Sequence, residues 1–81
     1  MAKENKVIVY STEWCQWCHR VKEWLTKQGV RYEDRDVEKE PKFAEEMTNK
    51  TKQSGIPVVD INGEVIIGYN EPVMRKALGI K

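Results

Sequence analysis

No apolar run in this chain approaches the ~20 residues that a membrane-spanning helix needs. An excess of one charge is missing too: 14 Lys and Arg stand against 13 Asp and Glu, a formal net charge of +1. That balance gives no electrostatic reason to expect nucleic acid or an anionic membrane as partner. Histidine is almost absent, with His19 alone, and there are only two cysteines, Cys15 and Cys18. Repeats, low-complexity tracts and linkers are lacking as well. Met1 to Lys6 holds no apolar segment of signal-peptide length and no small-residue cleavage site, so a cytoplasmic protein is expected. With 81 residues the expectation is one domain, 1–81, with a correspondingly small core.

Against these absences one stretch stands out. Trp14-Cys15-Gln16-Trp17-Cys18-His19 holds both cysteines, the only histidine and two of the three tryptophans. Cys-x-x-Cys-His is the pattern that attaches a c-type haem, and Cys-x-x-Cys early in a βα unit is the mark of thiol–disulfide redox chemistry. A metal site or two inert core cysteines are the remaining readings.

The surrounding pattern gives context. Val7 to Tyr10 is a continuous β-branched run suited to a central strand buried on both faces. A helix follows from around Cys15, with Cys18, Val21, Trp24 and Leu25 on one side and Gly29 as its stop. Val30 to Val37 is the next strand, charged enough to be an edge. Pro41 opens a second helix facing inward through Phe43, Ala44 and Met47, with Gly55 as a stop after a polar tail. Ile56–Ile61 and Glu64–Ile67 are strands joined by Asn62-Gly63, a strong hairpin signal. Asn70 caps a last helix with Val73, Met74, Ala77 and Leu78 facing in and Gly79 at its end. The order βαβαββα makes an α/β protein whose first two strands run parallel through a right-handed crossover.

In that context the redox reading of the pair is favoured. Three residues apart on a helix, the two side chains share a face and lie about 5–6 Å apart, which suits a disulfide. Cys15 falls at the first turn, where unpaired N–H groups and the positive dipole end stabilise a thiolate. Cys18, one turn in, faces the core. Such a pair divides into an attacking and a resolving thiol. Haem would want a large apolar pocket and a second axial ligand, yet Met47 and Met74 fall in apolar helix stripes. A closed zinc site wants four ligands, so one Cys-x-x-Cys and one histidine would need two chains. As a structural bridge the pair would close a loop too short to constrain the unfolded chain much.

Several further motifs resemble the glutaredoxin family. They are Tyr10-Ser-Thr-Glu-Trp-Cys15-Gln-Trp-Cys18, Gly29-Val30-x-Tyr32, Asp36-Val37, Gly55-Ile56-Pro57, Asn62-Gly63 and Ile67-Gly68-Tyr69. The match runs in order over nearly the whole chain. The resemblance implies the thioredoxin fold: a four-stranded mixed sheet in the order 2-1-3-4 with three helices on both faces. It implies that Pro57 is a cis-proline facing the cysteines. It also implies Cys15 as nucleophile, Cys18 as resolving thiol, and a substrate site drawn from Trp14, Gln16, Trp17, Ile56, Pro57, Gly68 and Tyr69.

The chain departs from the usual family pattern at four places. Gln16 and Trp17 replace a Pro-Tyr pair between the cysteines. Thr12 stands where a lysine usually helps hold the glutathione carboxylate. Gly68-Tyr69 replaces a Gly-Gly pair that hugs glutathione, and resembles instead the Gly-Phe of NrdH-redoxins. The resemblance thus implies a monomeric oxidoreductase of protein or glutathione mixed disulfides, with no bound cofactor and no metal. Its electrons would come from glutathione as co-substrate or from a thioredoxin-reductase-type flavoenzyme. The alternatives are an NrdH-like donor to ribonucleotide reductase and a two-chain iron–sulfur carrier. With three tryptophans in so small a chain, at least one is expected in the core.

Overall fold

The computed structural model describes residues 5–80. Seven elements follow one another: β1 (Val7–Ser11), α1 (Gln16–Lys27), β2 (Glu33–Asp36), α2 (Pro41–Thr51), β3 (Val58–Ile61), β4 (Glu64–Ile67) and α3 (Glu71–Leu78). The sheet order is β2-β1-β3-β4, with β1 parallel to β2 and antiparallel to β3, and β4 antiparallel to β3. The expected order and mixture of directions are therefore what the chain adopts.

The β-branched run of β1 explains its central place. Successive side chains of a strand point to opposite faces. Val7 and Val9 join Val59, Ile61 and Ile66 under α1 and α3, through Val21, Trp24, Leu25, Met74 and Leu78. Ile8 and Tyr10 join Val58 on the other face, under Met47 of α2. Trp24 is the tryptophan that enters the core. Charged β2 forms one edge and pairs only with β1, as its composition suggests.

The α2 face carries a polar network as well as apolar contacts. Tyr10 is fully buried, and its hydroxyl donates to Glu46 and accepts from Lys50 Nζ at 2.7 Å. Lys50 Nζ also donates to Asp60 at 2.7 Å, and Arg35 pairs with Glu46. Buried polar groups persist when each finds a partner. This network ties β1, β2, α2 and β3 together where Met47 is the only fully buried side chain of α2.

Three boundaries and one helix face differ from the sequence expectation, each for a local reason. β2 starts at Glu33 rather than Val30, because the Val30 N–H bonds back to Leu25 O (2.9 Å) and closes the end of α1. α2 ends at Thr51 rather than near Gly55. The Thr51 hydroxyl donates to Met47 O (2.8 Å), and Lys52 turns left-handed at φ 60°. β3 starts at Val58 rather than Ile56, after Pro57, which has no N–H for a ladder. Val73 was expected to face inward but is exposed, because the buried stripe of the two-turn α3 runs through Met74 and Leu78. The Asn62-Gly63 hairpin forms as read, with φ of 53° and 93°, both positive as a type I′ turn requires.

Candidate active site

Leaving the C-terminal end of β1, the chain turns through Ser11 to Trp14 and enters α1. Cys15 is the N-cap of that helix, in extended geometry. Its Sγ accepts the backbone N–H of Cys18 at 3.1 Å. The sulfur thus occupies the place an N-cap oxygen normally takes, against helix amides that have no partner within the helix. A sulfur gaining negative charge there meets both a hydrogen bond and the positive end of the helix dipole. Both cysteines are free thiols. Cys15 is 7% exposed and Cys18 is fully enclosed, so the first cysteine is nearly buried and the second is sealed.

That difference in burial divides their chemistry. The Cys18 thiol is pushed up to about 12, by burial first and then by its hydrogen bond with Cys15. The backbone of Thr12 and the charge of Lys22 work in the other direction. Lys22 is fixed in turn: its Nζ donates to Asp34 at 2.9 Å, and Ser11 Oγ donates to the same carboxylate at 2.6 Å. Burial works to raise the Asp34 carboxyl, but these two donors outweigh it and hold the group below its ordinary value.

A groove of about 270 Å³ opens at this end of the sheet, lined by Trp17, Ile56, Pro57, Gly68 and Tyr69. These are five of the seven residues proposed from sequence to contact substrate. The Ile56–Pro57 peptide bond is cis. Gly68 N–H donates to Pro57 O at 2.8 Å, which joins the floor to the far wall. Gly68 has φ +83°, and no atom stands within 4 Å of where a Cβ would be. Glycine is therefore required here by backbone conformation, not by space. The Trp17 and Tyr69 rings, both lining the groove, pack against each other at 6.1 Å between centroids, inclined by 44°. Burial first, then the Glu71 carboxylate, push the Tyr69 phenol above its ordinary value.

Trp14 and Gln16 are not among the lining residues. Trp14 is 67% exposed, and its indole N–H is taken by Glu38 of the loop before α2. Gln16 is exposed on the first turn of α1. His19 lies on the outer face of that helix with a ring nitrogen 2.6 Å from Glu13 O, which holds the turn before Cys15. Thr12, at the position of the usual lysine, is 3% exposed, and its Oγ1 has no partner among the described residues.

The family model for glutaredoxin matches residues 7–66. The chain belongs to the glutaredoxin family. A glutaredoxin-like 8.6 kDa protein of the rubredoxin operon of Clostridium pasteurianum is 39% identical over 72 residues, 89% of this chain and 96% of that one. Glutaredoxin 3 of Escherichia coli K12 is 28% identical over 73 residues, 90% of this chain and 88% of the relative. Among solved structures, a glutaredoxin from Archaeoglobus fulgidus superposes with a TM-score of 0.83 at 26% identity, covering 90% of this chain and 85% of the other. The glutaredoxin fold and family give the chain a thiol–disulfide redox role.

Sequence reasoning missed Arg20. The guanidinium lies over the Trp17 ring, 5.2 Å from its centroid. Spacing alone contained the signal, since residues three apart on a helix are neighbours.

Proposed function

We propose that this glutaredoxin is a dithiol redoxin in which Cys15 attacks and Cys18 resolves. The observation that carries the reading is the unequal setting of the two sulfurs. One caps the helix in a residue that keeps 7% exposure, with Trp17 of the groove two residues away; the other lies in a residue with none. In the first step the Cys15 thiolate attacks a substrate disulfide, forms a mixed disulfide and releases a thiolate, which takes a proton from water. In the second, Cys18 loses its proton and attacks Cys15 Sγ. The Cys15–Cys18 bond forms, the second substrate sulfur leaves as a thiol, and two electrons have passed to the substrate. The protein acts as a cytoplasmic monomer with no bound cofactor, on disulfides of protein chains or glutathione mixed disulfides.

The second step has its own logic. Two of the influences that raise the Cys18 thiol come from Cys15: its hydrogen bond and its charge. Both disappear once Cys15 Sγ is bonded to substrate, while Lys22 remains. Cys18 becomes easier to ionise in the one state where it must attack. The Ile56 backbone, next to cis-Pro57, makes no hydrogen bond with the described residues, and is the place for an extended substrate segment to pair as an added strand.

As electron donor we infer a thioredoxin-reductase-type flavoenzyme in preference to glutathione. Tyr69 sets a ring into the groove at the position of a usual glycine, and Thr12 is buried where a usual lysine would reach a carboxylate. A lost charge-assisted contact of that kind is worth about 1.5–3 kcal/mol. A parallel turnover assay tests this, with glutathione and glutathione reductase in one arm and thioredoxin reductase and NADPH in the other. Faster turnover is expected in the second arm. Turnover at low millimolar glutathione matching an ordinary glutaredoxin would refute the donor assignment. Failure in both arms with an added chemical reductant also inactive would refute the redoxin reading.

A further inference from the structure

We propose that Arg20, held over Trp17 at the rim of the groove, selects disulfide substrates whose polypeptide carries an acidic side chain beside the reacting cysteine. The proposal rests on the dithiol reading and names the substrate class of that site. Arg20 sits one helical turn after Trp17, and its guanidinium carbon lies over the indole, 5.2 Å from the ring centroid. Trp17 is itself 56% exposed and forms a wall of the groove. Stacking fixes the plane of a guanidinium while leaving its edge N–H groups free to grip a carboxylate in a fork.

The charges around the groove make Arg20 the one that matters. The carboxylate beside the groove residue Tyr69, Glu71, is occupied by Arg75, through Nε at 3.1 Å and Nη2 at 3.0 Å. No described carboxylate pairs with Arg20. Its charge also acts on the Tyr69 hydroxyl. Arg20 therefore brings to the Trp17 side of the groove a positive charge that no described carboxylate neutralises by pairing. A segment paired along Ile56 would present the residues flanking its cysteine alongside Trp17 and Tyr69. An aspartate or glutamate there completes the unpaired guanidinium, and a lysine there is repelled.

The test uses the intact protein and three synthetic peptides, each bearing a thiopyridyl mixed disulfide. The cysteine is flanked by aspartate, asparagine or lysine, and kcat/KM is measured at low and at high salt. The aspartate peptide is expected to exceed the lysine peptide about three- to tenfold at low salt, the range of one partly exposed charged contact. The ratio should shrink as salt is raised. It should fall towards unity in Arg20→Gln and be partly restored in Arg20→Lys. Equal rates for the three peptides, or a ratio that Arg20→Gln leaves unchanged, would overturn the proposal while the redoxin reading stands. With oxidised glutathione run as a fourth substrate, Arg20 dependence seen only there would assign the charge to glutathione and overturn the polypeptide substrate. No reduction of any peptide would sink the dithiol reading and this inference with it.

Discussion

Cys15→Ser is expected to abolish disulfide reduction, lowering the rate by at least about a thousandfold, to the level of uncatalysed exchange. The serine keeps the N-cap geometry, since its oxygen can accept the Cys18 N–H that Cys15 Sγ now accepts. The fold should therefore survive, and circular dichroism should confirm it. Cys18→Ser should behave differently. Attack by Cys15 needs nothing from the second thiol, so the first half of the reaction proceeds. Release fails, and the mixed disulfide with substrate accumulates stoichiometrically. Mass spectrometry of each variant after incubation with a peptide disulfide reads both results. An adduct on Cys18 in the Cys15→Ser variant, and none on Cys15 in the other, would reverse the two roles.

The second large effect concerns pH. The resolving thiol must lose its proton, and burial holds that proton well above the ordinary cysteine range. Below its pKa, the thiolate fraction of a group rises tenfold with each pH unit. Release from a preformed Cys15 mixed disulfide should therefore accelerate by about a hundredfold from pH 6.5 to 8.5. The sign follows from the thiol being the inactive form: acid slows release and base speeds it. Stopped-flow measurement of the single-turnover release rate checks this. Loss of the Cys15 influences in the mixed disulfide brings the value down from about 12, but burial stays, so no plateau is expected below about pH 8.5. A plateau beginning near pH 7 would mean that Cys18 is not shielded in the intermediate.

Some of this was legible from local pattern and some was not. The strand β1 announces itself because a sheet buried on both faces needs no polar alternation, and Val7 to Tyr10 supplies none. The hairpin follows from one dipeptide whose backbone preference matches the turn. The groove was reached differently. Trp17, Ile56, Pro57, Gly68 and Tyr69 come from three separate parts of the chain, and only the family resemblance put them on one list.

What the sequence hid depends on distance along the chain or on neighbours in space. Tyr10 reads as one more strand residue, because its partners Glu46 and Lys50 lie 36 and 40 positions away. Ser11 and Asp34 are 23 apart, and nothing local links them to Lys22. Thr12 stands at the position of the family's ligand-holding lysine, yet the turn into α1 folds it inward. Trp14 was placed at the substrate because of its position beside Cys15, but Glu38 draws its indole N–H towards the loop before α2.

The central claim is that Cys15 and Cys18 of one chain exchange a disulfide bond with substrate. It is tested most directly by oxidising the pure protein with a stoichiometric disulfide and weighing it intact under non-reducing conditions. The account predicts a monomer lighter by two hydrogens, both thiols lost to titration, a Cys15–Cys18 cross-link in the peptide map, and full reversal by dithiothreitol. A product joined between two chains, or a chain of unchanged mass with both thiols still free, would contradict it.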